Sequence, residues 1–345
     1  MSTPTHAHSH AHPHAHPHPE AVRWVREHAH ALTTFDPAAP LDDLRPLAES
    51  VRDAGIVALA HSHRQSRELS AVSLRVLRLL VEEYGFRTLA LEGDEPVRLG
   101  LAAYVRDGTG DPRAMLAGAR SWWRTGETLD VVEWMRAYNE RHPDDQVRFA
   151  EQRGPAPEFT SLDHVERYLA ESTAWWYEHS GDRIVYWGGI AHMAVGTPRT
   201  VSPGSPGDAT HHNAGGYLRE RLGSGYAAIG FMFHHGTALY EFPAPPADFA
   251  ESVLDAAGPE AFTLDLRAGD GAAPAVRAWL DAPVRTRMIG PVYDAARDAD
   301  HHLAAASLSG LLDGVVHIRE LTDSRALDAP APAAAPTAGA ERPGA

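Results

Sequence analysis

Several side chains able to move protons or hold charge fall at the ends of short apolar runs in this sequence. Gly55–Ala60 (GIVALA) leads into His61, Ser62, His63 and Arg64, and Thr88–Glu92 (TLALE) closes on Glu92 with Asp94 beyond it. Arg183–Trp187 is followed by Gly188, Gly189 and His192, and Ala227–Phe233 by His234 and His235. Two chemistries fit such a set. In the first, a histidine removes a proton from water, a carboxylate fixes its tautomer and steadies the imidazolium, and arginine holds an anion or a developing oxyanion. In the second, the H-x-H pair His61 and His63 shares a divalent metal, with Glu92, His192 or His234 completing the ligands. The competing structural reading is a polar rim satisfied by backbone and water.

The elements that would bring these residues together are legible as alternating patterns. Gly55–Ala60 reads as a buried strand. Glu68–Tyr84 reads as an amphipathic helix with Leu69, Val72, Val76 and Leu80 on one face and Gly85 as its C-cap. Thr88–Glu92 then completes a strand–helix–strand unit with a right-handed crossover. Further strands are expected at Gln146–Ala150, Arg183–Trp187, Ala227–Phe233, Phe262–Leu266 and Gly314–Ile318, with helices at Thr128–Asn139 and Leu162–His179. The expected fold is α/β, a mostly parallel central sheet flanked by helices on both faces. Ligands of such sheets bind beyond the carboxyl ends of the strands, which is where the histidines fall.

Composition removes several alternatives. The 345 residues include no cysteine, and all 31 basic residues are arginine. Disulfides, thiolate metal sites, cysteine nucleophiles, Schiff-base lysines and P-loops are therefore excluded. A formal charge of −15 argues against a nucleic-acid partner, and no apolar run reaches membrane-spanning length. The reading is a cytoplasmic protein with a small-molecule or peptide substrate. His6, His8, His10, His12, His14, His16 and His18 alternate with small residues and proline, so residues 1–19 are expected to be a disordered tail able to pick up zinc or nickel adventitiously. Residues 20–325 form the expected domain, with a helical subdomain near 97–180, and 326–345 a second, Ala/Pro-rich tail. Pro198–Asp208 (PRTVSPGSPGD) reads as a loop placed to act as a lid, and Pro155–Thr160 as a shorter break.

Val57–Glu92 resembles the opening motif of the erythromycin esterase family, whose relatives include succinoglycan-biosynthesis proteins. The resemblance continues in order through Trp122–Asn139, Ile184–His192 (IVYWGGIAH), Tyr217–Gly236, Trp279–Tyr293 and Leu311–Leu321. It implies an α/β core with a helical subdomain, reduced here between Arg153 and Ser161, and hydrolysis of an ester or lactone by a histidine-activated water without a cofactor. Glu92 stands where the family has its second-strand glutamate, and His192 matches the last histidine of a Trp-x-His-x-x-His segment. The earlier histidine of that segment is Gly189. In the Gly-Glu-x-x-His motif, Ala60 replaces the glycine, His61 the glutamate and Arg64 the base histidine, and Ser73 replaces a basic residue on the helix that follows.

These departures bear on mechanism. Arginine stays protonated at any physiological pH, so Arg64 cannot be a general base. The proton then goes to His61, His63, Glu92 or His192, the four catalytic candidates. Arg64, Arg67, His234, Arg287 and Tyr293 are the substrate-binding candidates, and a cradle of imidazole and guanidinium would favour an anionic substrate. The expectation is a divergent hydrolase or tailoring enzyme of natural-product metabolism. The alternatives are a metal-dependent hydrolase using His61 and His63, and a non-catalytic binding or carrier protein. Trp122, Trp123, Trp134 and Tyr138 are read as aromatic core, and His301 and His302 as surface positions in a helix.

Overall fold

The computed structural model describes residues 18–151, 161–196, 199–202 and 209–328. His6 to His16, the Pro155–Thr160 break, residues 329–345 and most of the Pro198–Asp208 loop lie outside the described residues. Thirteen strands occur among the described residues: β1 (His30–Ala31), β2 (Ile56–His61), β3 (Phe86–Leu91), β4 (Arg148–Phe149), β5 (Arg183–Gly189), β6 (Arg199–Ser202), β7 (Ala209–His211), β8 (Tyr226–Ala238), β9 (Tyr240–Phe242), β10 (Ala261–Asp265), β11 (Val284–Arg287), β12 (His302–Ala305) and β13 (Gly314–Leu321).

Nine strands form one sheet in the order β1-β10-β13-β8-β2-β5-β3-β4, with β9 folding back on β8. From β13 to β4 every pairing is parallel, whereas β1, β10 and β9 pair antiparallel. β2 lies between β5 and β8, and its residues Ile56–Ala60 are fully buried, which accounts for an unbroken apolar run instead of an alternating one. One face packs Val57, Leu59, Leu89 and Val185 against the Arg67–Tyr84 and Gly126–Arg141 helices. The other packs Ile56, Ala58, Ile184 and Tyr186 against the Leu162–Ser180 and Ala214–Leu222 helices. The segment 97–180 is thus spread over both faces and contributes β4 to the sheet edge.

The Arg67–Tyr84 helix has the limits its sequence implies. The Ser66 hydroxyl accepts the Leu69 amide at the start, and Gly85 ends the helix at φ 73°. Mid-helix, Arg75 is fully buried, and both its terminal nitrogens are engaged: it pairs with Asp43 (2.7 Å) and donates to the carbonyls of Thr34 and Pro40.

β11, β12, β6 and β7 form a second, antiparallel sheet. The first part of Pro198–Asp208 is therefore strand, not loop. His301 is buried and His302 opens β12, also buried, so neither is a surface position in a helix. The misreading has a physical source: strands of four residues between polar neighbours carry no distinguishing periodicity. Trp123 and Tyr138 are core, as expected, while Trp122 and Trp134 pack at its edge.

Removing Asp43 leaves the Arg75 guanidinium buried without its counter-charge. Asp43→Ala is expected to cost about 3–5 kcal/mol of stability in urea unfolding. A change within about 0.5 kcal/mol would show that the carbonyls alone satisfy Arg75.

Candidate active site

Parallel alignment of β2, β3, β5 and β8 puts their carboxyl ends on one rim, where His61, Glu92 and Gly189 become spatial neighbours. Glu92 follows β3 directly and its amide bonds to the Trp187 carbonyl of β5, so the carboxylate is turned across the end of β5. There one Nη of Arg64 donates to both Glu92 oxygens, at 2.5 and 2.7 Å, and the Gly189 amide donates to Oε2 at 2.7 Å. Burial alone would raise the Glu92 pKa, but the Arg64 charge, then His192 and these hydrogen bonds, hold it down at about 2. Glu92 is a fixed anion, not a base.

His192 lies on the short helical turn Ile190–Met193 just past β5. Its Nε2 faces Glu92 Oε1 at 3.6 Å, a charge contact longer than a hydrogen bond. Its Nδ1 bonds to Glu166 Oε1 at 2.9 Å, and the other Glu166 oxygen accepts the Ala214 amide at 2.9 Å. Glu166 is fully buried on the Leu162–Ser180 helix, and its carboxylate sits at the N-terminus of the Ala214–Leu222 helix, where the exposed amides favour an anion. Asn213 caps that helix and donates to the His192 carbonyl at 2.9 Å, which fixes the turn from below. Burial alone would lower the His192 pKa. Glu92, Glu166 and the Nδ1 hydrogen bond outweigh it, so the pKa lies above the ordinary 6.5.

His61 and His63 do not join this group. His61 is buried with its ring 4.8 Å from Phe231 and 5.3 Å from Trp187, and its Nε2 meets the Ser73 hydroxyl at 2.7 Å. Burial, then the Arg64 charge, lowers its pKa to about 3. His63 packs on Phe242, bonds to the Gln65 carbonyl and is lowered to about 4, mainly by burial. Such rings are poor bases near neutrality. Nor do they form the H-x-H metal pair. Among the described residues no group of three or more His, Asp or Glu side chains is arranged to hold a metal ion. The i, i+2 spacing supplied the pattern, and packing against two different aromatic groups undid it.

The remaining candidates disperse. Arg287 is fully buried, bonded to Asp298 (2.8 Å) and to the carbonyls of His234 and Pro243, and Tyr293 donates to the same Asp298 at 2.7 Å. Together they pin the Met288–Tyr293 segment, whose Ile289 amide bonds the Ser62 carbonyl. His234 faces Asp255 (3.8 Å) and its neighbour His235. Arg67 is exposed at the start of its helix. A cavity of about 550 Å3 bordered by Ala54, Tyr226 and Leu312 lies at the opposite, amino ends of β2, β8 and β13, away from Glu92 and His192.

Arg64, Glu92 and His192 remain 13–19% exposed, enough to meet a ligand at the rim. Two carboxylates face one guanidinium and one imidazole, so the cradle is close to charge-balanced and the Arg64 charge is already taken up by Glu92. This removes the reason to expect an anionic substrate. Glu166 was not foreseen. Nothing in the helix pattern marks it, because the signal is a charged residue on a face that only the folded helix shows to be inward.

The sequence matches the erythromycin esterase family over residues 81–150 and 157–321, more than half of the chain. The chain belongs to the erythromycin esterase family. The match begins at Val81, so Glu92, Glu166 and His192 fall within it and the His61–Arg64 segment precedes it. Solved structures share the fold. A succinoglycan biosynthesis protein has a TM-score of 0.73 at 20% identity, covering 90% of this chain and 98% of its own. A Bacillus cereus protein has 0.73 at 19%, covering 89% and 98%. A mutant of the erythromycin esterase EreC in its open conformation has 0.60 at 14%, covering 87% and 99%.

Within this erythromycin esterase fold two departures noted in the sequence are coupled. A Cβ at Gly189 would come 2.2–2.9 Å from three guanidinium atoms of Arg64. A side chain at 189 would thus displace the Arg64 guanidinium from its place against Glu92. Gly189→Ala is expected to cost about 1–3 kcal/mol by overpacking. In an Arg64→Ala background the same glycine-to-alanine change should cost little, giving a coupling of about 1–3 kcal/mol in urea unfolding. Additive losses would show that Arg64 does not depend on the missing Cβ.

Proposed function

We propose that this member of the erythromycin esterase family hydrolyses a neutral ester or lactone of a small natural product or modified peptide, with His192 as general base. The observation that carries the reading is the Nδ1 contact of His192 with buried Glu166, in a side chain that stays 19% exposed and turns its Nε2 toward Glu92. Ionised Glu166 only accepts, so it places the imidazole proton on Nδ1 and leaves the Nε2 lone pair for water. Water gives a proton to Nε2 and its oxygen adds to the acyl carbon. The tetrahedral intermediate then expels the alcohol, which takes the proton back from Nε2. Glu166 and Glu92 stabilise the imidazolium between the two transfers, and Arg64 keeps Glu92 ionised.

A binding or carrier protein is the second reading. It is favoured by Arg64 standing where the resemblance puts the base, locked to Glu92.

The base is active only when deprotonated. The kcat/KM for a p-nitrophenyl ester should therefore rise with pH through an inflection above 6.5. His192→Asn should lower kcat at least 100-fold. Glu166→Gln should lower kcat and move the inflection to lower pH, because it removes a charge that favours the imidazolium. Turnover by His192→Asn at the wild-type rate would overturn the base assignment. A wild type that turns over no ester yet retains a bound small molecule would decide for the carrier.

A further inference from the structure

The turn that carries His192 cannot satisfy its own backbone. Ile190–Met193 is four residues long, so it closes one hydrogen bond, from the Ala194 amide to the Ile190 carbonyl, and leaves its later carbonyls to outside donors. The Met193 carbonyl accepts the Tyr226 hydroxyl. One side chain serves the others. The Asn213 amide donates to the His192 carbonyl at 2.9 Å and the Ala194 carbonyl at 2.5 Å, with the Ala191 carbonyl at 3.4 Å.

Asn213 is fully buried and comes from a distant part of the chain. Beyond the His192 turn the chain passes through β6 and β7 of the second sheet before it returns at Asn213. There the Asn213 Oδ1 accepts the Gly216 amide and caps the Ala214–Leu222 helix, and the next residue, Ala214, gives its amide to Glu166 Oε2 at 2.9 Å. Two consecutive residues thus grip the two partners of one hydrogen bond: 213 holds the His192 turn and 214 holds Glu166. The fit is close. A Cβ at Gly215 would lie 2.2 Å from the Met193 carbonyl oxygen and 2.5 Å from that of Ala194, so the turn rests directly on the start of the helix.

We infer that Asn213 is a positioning residue for His192, setting the turn against the helix so that Nδ1 meets Glu166. This rests on the base assignment above and adds to it the residue that keeps base and carboxylate in register. Capping alone does not account for asparagine here, because serine, threonine and aspartate cap helices comparably. Asparagine differs from them in offering two N–H donors behind the capping oxygen, and those donors are the ones spent on the turn. Displacement by about 1 Å is enough to take a catalytic group out of productive geometry, so a residue that touches only the backbone of the turn can govern the ring.

Two variants of the whole protein test this by different routes. Asn213→Ser keeps a capping hydroxyl and removes both donors, whereas Gly215→Ala keeps Asn213 and wedges the turn away from the helix. In 15N-histidine-labelled protein, with folding checked by urea unfolding, each should lower the His192 midpoint by about 0.5 pH unit or more and shift part of the neutral form to Nε2–H. In a Glu166→Gln background Asn213→Ser should move the midpoint much less, a non-additivity that general loss of stability would not produce. On p-nitrophenyl esters Asn213→Ser should lower kcat about 10-fold with little change in KM. A wild-type midpoint and Nδ1–H tautomer in either folded variant, or a shift equally large in the Glu166→Gln background, would overturn the positioning role. Failure of the hydrolase reading is separately visible, as ester turnover indifferent to His192→Asn.

Discussion

The rim of the sheet depends on one carboxylate. Glu92 leaves β3, turns over the end of β5, and there takes the Arg64 guanidinium, the Gly189 amide and the charge of His192. A carboxylate this enclosed is tolerable only if its charge is met, and here the partners come from the ends of β2 (Arg64) and β5 (Gly189 and His192). The ion pair sets the rest. It fills the space a side chain at position 189 would take, it fixes the guanidinium, and it places a permanent anion beside Nε2 of His192. Glu166 completes the line from the other side, itself held by the N-terminus of the Ala214–Leu222 helix. Anion and cation alternate from Glu166 through protonated His192 and Glu92 to Arg64.

This alternation gives His192 surroundings that the other histidines of the sheet rim lack. A histidine between two carboxylates binds its proton more tightly than a free imidazole, whereas histidines walled in by aromatic rings hardly bind one. His61 and His63 have the second environment and His192 has the first. Residue type made all three look alike, and only the surroundings separate them. The same logic removes the reason to expect an anionic ligand, because a guanidinium already bonded to both oxygens of a carboxylate has little charge left to offer.

Much of the fold was legible in the sequence. The buried run at β2, the capped Arg67–Tyr84 helix and the strand–helix alternation specify a parallel sheet, and the rule that such sheets present chemistry at their carboxyl ends points to His61, His63, Arg64, Glu92, His192 and His234 alike, of which the structure brings Arg64, Glu92 and His192 together. The second sheet was not legible, since four-residue strands carry no period. The fates of Arg287 and Tyr293 were hidden for another reason. Their family-like segment is real, but Asp298, which binds both, sits in a short helix whose inward face has no sequence mark. Glu166 was missed likewise. Buried acids that serve another side chain are visible only once the partner is in place.

The central claim is that His192 is a carboxylate-flanked imidazole with its proton fixed on Nδ1. Titration of 15N-labelled histidine, with His192 assigned by its absence in His192→Asn, tests it most directly. The account predicts a midpoint above 6.5, a neutral form protonated at Nδ1, and a lower midpoint when Glu166 is glutamine. A midpoint at or below 6.5, or a neutral form carrying its proton on Nε2, would contradict it.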